Sequence, residues 1–164
     1  MVKFNPVSIN YNRLVVDITK QTITFISADG FDREWPVSTA AAGTGNEIGS
    51  SCTPLGMHMI VQLFGNDQPS GTIFKSRRST GVTAEFFYDQ IKRSADHVTS
   101  RVIRLKGVES AVNGNSFRRY IYIHGTPEEG LIGNPVSHGC IRMKNADVIE
   151  LFKIVQLGMP VLIK

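Results

Sequence analysis

Short runs of β-branched and aromatic residues, closed by glycine, proline, asparagine or aspartate, recur along this chain and call for sheet rather than long helices. Arg13 to Ile18 (RLVVDI) and Thr22 to Ser27 (TITFIS) are two such runs, and Thr19-Lys20-Gln21 between them predicts a hairpin. Asp29-Gly30 is a turn signal of the kind that joins antiparallel strands, and Trp35 to Ala40 reads as a third strand. Met57 to Phe64, Ile73-Phe74, Val98 to Leu105, Tyr120 to Ile123 and Val161 to Ile163 extend the series. Helical spacing occurs twice. It covers Ala84 to Ala95, through Phe87 and Ile91, and Asn145 to Val155, where Val148, Leu151, Phe152 and Val155 share a face. In the second, Asn145 is the expected N-cap, Gly158 the stop, and Pro160 bars continuation. Gly65 to Gly81, apart from Ile73-Phe74, and Gly107 to Ser116 read as loop. The expected architecture is mainly β with a few short helices, one domain over residues 1–164, with a site on a strand–loop–turn rim.

The composition narrows the function class. The chain has 164 residues, 41% hydrophobic and 20% charged, enough for a packed core without staples. Eighteen basic against fourteen acidic residues leave a formal charge of +4. That is mild, the basic residues are scattered, and no reader motif is present, which argues against nucleic acid. It favours an anionic partner such as a peptide rich in carboxylates. No apolar run reaches the roughly 18 residues that a membrane-spanning helix requires. Ala41 to Ser51 carries three glycines but no Lys-Ser/Thr pair, so it reads as a flexible turn rather than a phosphate loop.

The chemistry concentrates in Tyr120 to Met143, YIYIHGTPEEGLIGNPVSHGCIRM. An alternating apolar run delivers His124 into the turn Gly125-Thr126-Pro127, and a Gly- and Pro-bearing loop leads to Ser137-His138-Gly139-Cys140. A thiol nucleophile needs a base, because a free cysteine is only a few per cent ionised at neutral pH. His124 can supply it, as general base or as the imidazolium half of an ion pair. Gly139 permits close approach to the backbone, and the N–H groups of Gly139 and Cys140 can stabilise an oxyanion. Arg142 either binds a substrate carboxylate or ties its loop to the body of the domain. A disulfide between Cys52 and Cys140 would abolish the nucleophile, so those two readings compete. His124, His138 and Cys140 could offer three metal ligands, but the spacing lacks paired CxxC units, and neither metal nor cofactor is expected. His58 reads as a strand histidine with satisfied hydrogen bonds, His97 as a surface residue beside Asp96, and Cys52 as a bystander.

His124-Gly125-Thr126, followed sixteen residues after His124 by Cys140 within Ser137-His138-Gly139-Cys140-Ile141-Arg142-Met143, resembles the signature of the L,D-transpeptidase (YkuD-type) catalytic domain. Thr53-Pro54-Leu55-Gly56 is similar to that family's Thr-Pro-x-Gly turn. Asn145-Ala146-Asp147 and Gly158 to Ile163 are similar to its following helix and closing strand. Residues from about Gly65 to Asn115 match only loosely. The resemblance implies a β-sandwich-like sheet assembly, with Cys140 as nucleophile, His124 oriented by a nearby backbone carbonyl or hydroxyl for which Gly125 is the matching neighbour, and His138 helping to shape the site. Ser137, Gly125 and Arg142 become candidates for substrate binding.

The resemblance also implies the substrate. Such domains attack the carbonyl of an L-configured centre in a peptidoglycan stem peptide, typically meso-diaminopimelate, and expel the terminal D-alanine, leaving a thioester on Cys140. Carbapenem-type inhibitors react with the same thiol. Met1 to Pro6 lacks the apolar core of a signal peptide. The favoured expectation is therefore a cytoplasmic L,D-carboxypeptidase that trims recovered muropeptides from tetrapeptide to tripeptide. The alternative is an exported, periplasmic L,D-transpeptidase that forms 3–3 cross-links. A sortase would need its cysteine at a Thr-Leu-x-Thr-Cys strand end, which is missing, and a non-catalytic wall-binding module would not depend on Cys140.

Overall fold

The computed structural model describes residues 11–93 and 96–164. Ten strands join one sheet: β1 Arg13–Asp17, β2 Thr22–Ile26, β3 Arg33–Pro36, β4 Gly56–Phe64, β5 Thr72–Lys75, β6 Arg78–Thr83, β7 Val98–Gly107, β8 Tyr122–Gly125, β9 Ile141–Met143 and β10 Pro160–Ile163. Two short helices, α1 Ser110–Asn113 and α2 Asn145–Phe152, complete the list together with a 3-10 turn at Glu129–Leu131. The fold is mainly β, as the sequence predicts.

The sheet runs β3-β2-β1-β10-β4-β7-β5-β6, with β8 and β9 branching from β7. β7 allows the branch because it is long. One edge pairs Val102 to Gly107 with β4 and Val98-Thr99 with β5, while the other edge holds β8. Val102 faces Phe64 on one side and His124 on the other. β1 and β2 form the expected hairpin, and β10 inserts between β1 and β4, parallel to the first.

Alternation decides what each strand buries. Leu14 and Val16 of β1, Ile23 and Phe25 of β2, and Val161 and Ile163 of β10 meet Val148, Leu151 and Val155 around α2 in one core. Ile123 of β8 and Ile141 and Met143 of β9 point into that same core. The residues between them, His124 on β8 and Arg142 on β9, therefore lie on the opposite face. There Tyr122 packs with Phe74 and Val102, and Cys140 sits against this smaller cluster.

Four local expectations change. Residues 84–93 form no helix; Ser94 and Ala95, which end the predicted one, lie outside the described residues. The apolar residues there have no core to cover: Tyr88 is 71% and Ile91 62% exposed. The backbone pairs instead with the loop after β8, through Phe87 N–H to the Pro127 carbonyl and Gly130 N–H to the Phe87 carbonyl. Residues 65–81 carry more strand than Ile73-Phe74 alone: β5 and the first part of β6 form a hairpin there. The polar sequence of β6 (RSTGVT), exposed throughout, hides that strand from any hydrophobic pattern. Ser110–Asn113 forms a single helical turn within a segment read as loop. Finally, the third strand ends at Pro36, and its extension changes partner: Ser38 bridges Arg142 and Ala40 bridges Ser137. The chain leaving β3 thus becomes a wall of the nucleophile loop.

Candidate active site

The site forms where β8 ends and β9 begins. These strands are parallel neighbours, with Ile123 opposite Ile141 and His124 opposite Arg142. Cys140 precedes β9 and lies beside Tyr122, whose backbone N–H approaches its Sγ at 3.4 Å. The thiol also points at the Tyr120 carbonyl, 3.4 Å away. One face of a two-strand seam thus carries the candidate base and the candidate nucleophile. Both cysteines are free thiols, with Cys140 half-buried, so the disulfide reading fails.

His124 is buried, and its Nδ1 lies 2.7 Å from the Gly125 carbonyl. A carbonyl only accepts, so Nδ1 carries the proton and Nε2 keeps its lone pair whenever the ring is neutral. Burial holds the imidazole below its ordinary value of 6.5, against the opposing pull of Asp96 and of the Gly125 carbonyl. Burial likewise pushes the Cys140 thiol up to about 11, with the Tyr122 N–H, Arg142 and Arg119 pulling the other way. Burial thus favours a neutral thiol and a neutral imidazole on this face of the seam. Of the two states open to His124 in the sequence, the electrostatics favour the general base.

Three hydrogen bonds anchor the nucleophile loop. Ser137 Oγ donates to the Cys140 carbonyl at 2.6 Å and accepts the Gly139 N–H at 3.2 Å. Thr53 Oγ1 donates to the Gly139 carbonyl at 2.9 Å, which gives the Thr-Pro-Leu-Gly turn its role at the site. Gly139 has a φ of +127°, and a Cβ built there would lie 3.1 Å from the Cys52 carbonyl. Only glycine adopts that backbone without strain. Because the Gly139 N–H is turned to Ser137, it does not stand free as the oxyanion donor anticipated for it.

Ser137, Gly125 and Arg142 are all buried, and they hold the site together rather than line its opening. A Cβ on Gly125 would fall 2.7 Å from the Thr99 carbonyl and 2.8 Å from Asn145 Oδ1. Asn145 is not the N-cap of α2 but its first residue, after Lys144. Its buried side chain donates to the Thr126 carbonyl and to Glu129 and accepts from Thr99 and Ser100, so it fixes the His-Gly-Thr turn against β7. Arg142 is 1% exposed and pairs with Glu128, itself 2% exposed, at 3.2 Å, and with Asp96 at 2.5 Å. Of the two roles open to Arg142, the structure places it in the one that ties loops to the body.

Asp96 is the residue that motif reading missed. It faces Arg142 and His138, whose Nδ1 lies 3.1 Å from its carboxylate, and it acts on the charge of His124. Burial alone would raise its pKa; His124, Arg142 and the bonds from His138 and Arg142 outweigh burial and hold it below 3.8. His138 is largely exposed and belongs to this charged chain. His97 lines a separate cavity of about 390 Å³ with Phe87, Arg93 and Glu128. His58 is buried with both ring nitrogens bonded, to the Gly56 carbonyl and to Ser116, as expected of a structural strand histidine.

Cys140 opens into a cavity of about 200 Å³ that it shares with His138, Ile121, Arg119, Ser51 and Gly49. Arg119 also went unnoticed in the sequence. It reaches across to the loop before Thr53, donating to the Gly45 carbonyl at 2.9 Å and to the Cys52 carbonyl at 2.5 Å.

Known proteins resemble this chain to different degrees. YkuD of Bacillus subtilis (strain 168) is 52% identical over 46 residues, which are 28% of this chain and 28% of that protein. YqjB of the same strain is 51% identical over 41 residues, 25% of this chain and 23% of that protein. An L,D-transpeptidase from Mycobacterium smegmatis has the same fold, with a TM-score of 0.59 and 21% identity, over 93% of this chain and 58% of that one. L,D-transpeptidase 3 from Mycobacterium tuberculosis, solved with a faropenem-derived adduct, gives a TM-score of 0.59 at 19% identity, over 93% of this chain and 60% of that one. The chain thus spans under two thirds of the length of these structures. The sequence model of the L,D-transpeptidase catalytic domain, YkuD, matches residues 11–163 from the first described strand to the last. The chain therefore belongs to the L,D-transpeptidase catalytic domain family.

Proposed function

We propose that this domain catalyses cysteine-dependent L,D-acyl transfer on peptidoglycan stem peptides. The observation that carries the reading is the seam of β8 and β9, where His124, protonated on Nδ1, stands on the same face as the half-buried Cys140 thiol. Nε2 of His124 takes the Sγ proton as sulfur bonds to the carbonyl carbon of the L-centre. The proton passes to the leaving amine as the C–N bond breaks, D-alanine departs, and a thioester remains on Cys140. Because burial holds the thiol near 11, little free thiolate exists at neutral pH, and His124 is needed to take its proton.

Hydrolysis is the favoured fate of the thioester. Cys140 lies half-buried in a cavity bounded by the exposed His138, so water can approach from that side. His124 then removes a proton from water, and the thiol leaves reprotonated, giving L,D-carboxypeptidase activity. With an amine from a second stem as acceptor, the same intermediate gives a 3–3 cross-link. The related solved structures are named as transpeptidases, and this supports that second outcome. By the same chemistry, β-lactams of the penem and carbapenem type acylate Cys140.

Incubation with a disaccharide-tetrapeptide, followed by mass spectrometry of the products, tests the reading. Released D-alanine with a tripeptide supports hydrolysis, and a dimer joined through two diaminopimelates supports cross-linking. Either product must vanish in Cys140→Ala. No turnover by a folded protein with a reactive Cys140 would remove the substrate from the proposal. The cytoplasmic placement is a further part of it. Fractionation of cells carrying the whole gene, with the protein recovered only outside the cytoplasmic membrane, would contradict that part.

A further inference from the structure

Arg119 lies between α1 and β8, three residues before β8 begins. Its guanidinium has five N–H donors, and two of its nitrogens each donate one bond to backbone, at Gly45 and Cys52. It has no carboxylate partner among the described residues, in contrast to Arg33, Arg93 and Arg142. Those two carbonyls hold it rigidly against the nucleophile loop. A Cβ built on Gly139, next to Cys140, would stand only 3.5 Å from Nη2. The guanidinium lines the same 200 Å³ cavity as Cys140 and His138, and its charge reaches the thiol, where it opposes the effect of burial. A preorganised cation with spare donors, within a residue of a nucleophile, is the arrangement that selects a planar anion.

We infer that Arg119 is the specificity-determining residue that binds a carboxylate of the acyl donor beside Cys140, namely the free carboxylate of the residue on the leaving side of the scissile bond. This rests on the proposed acyl transfer for the identity of the donor. That carboxylate is one residue from the carbonyl under attack, so a donor seated on Cys140 brings it into the small cavity that Arg119 lines. The glycine at position 139 matters to the same end, because any side chain there would intrude between guanidinium and substrate.

The test uses two alkylating reagents of nearly equal shape, anionic iodoacetate and neutral iodoacetamide, with modification of the Cys140 peptide followed by mass spectrometry at one alkaline pH. In Arg119→Gln the iodoacetate rate relative to the iodoacetamide rate should fall by about tenfold, the loss expected of one charge-assisted contact. Arg119→Lys should keep most of the preference. A ratio that is the same in the wild type and in Arg119→Gln would overturn the proposal and leave Arg119 as a tether for Gly45 and Cys52. Loss of that tether alone would slow both reagents alike. With tetrapeptide and its C-terminal amide as paired substrates, Arg119→Gln should raise KM about tenfold more for the free acid than for the amide. Equal effects on both would again overturn it. Should neither peptide turn over, the reagent ratio still decides the role of Arg119, and only the identity of the donor falls.

Discussion

The bond from His124 to the Gly125 carbonyl fixes which nitrogen can act as base, and burial fixes when it can act. Protonation of His124 removes the base, and its pKa is depressed. The acid limb of kcat/KM should therefore lie below pH 6.5, with the rate level through neutrality and the thiol ionising only near 11. A pH–rate profile whose acid limb falls above 6.5 would contradict the neutral pair. Arg142 leads to a second outcome. Its removal strands Glu128, so Arg142→Ala should cost about 3–5 kcal/mol in denaturant unfolding, the usual penalty for an orphaned buried charge. A loss below about 1 kcal/mol would mean that the pair is solvated. At this scale the sequence was informative where the candidate site sits in one contiguous motif. His124, Gly139 and Cys140 could be read from HGT and SHGC. Asp96 lies 42 positions before its partner His138, and Arg119 reaches its carbonyl partners 74 and 67 positions away, so only the folded sheet brings them to the site.

Among the elements, the β5–β6 hairpin is held by Phe74 in the smaller cluster and by a second set of contacts at its tip. Arg77, at the turn, donates to the Tyr122 hydroxyl at 3.2 Å and lies 5.3 Å from the centre of the Tyr120 ring. Tyr120 and Tyr122 are the residues whose backbone contacts Cys140. Arg77→Ala removes both of these tip contacts. It should speed amide exchange in residues 72–83 while leaving exchange in β1, β2 and β10 unchanged; equal change in both regions would show that the hairpin is not held separately. The missing helix at residues 84–93 and the unforeseen β6 share a cause. Periodicity reports which residues face a core, and these segments pack on the neighbouring loop or stand in solvent, so their pattern carries little information. α2, β1, β2 and β10 each bury one face in the main core, and there alternation or helical spacing gave the element and its buried side.

For the molecule as a whole, the two buried histidines tie stability to pH. Burial holds both His58 and His124 below 6.5, so the unfolded chain binds protons that the folded chain refuses. Stability should be complete above pH 6.5 and fall as the pH drops below it; Asp96, held low, adds a further loss only below 3.8. Thermal melts across that range should show Tm decreasing from neutral toward acid. A Tm that rises on acidification to just below 6.5 would contradict the burial of the imidazoles. The proposed function rests on one claim, that Cys140 carries the acyl group. Intact-protein mass spectrometry during brief incubation with tetrapeptide tests it most directly. The account predicts an adduct equal to the tripeptide acyl group, mapped to the Cys140 peptide, absent in Cys140→Ala and in His124→Ala. A folded protein that turns over the peptide with no adduct, or with the adduct on Cys52, would contradict it.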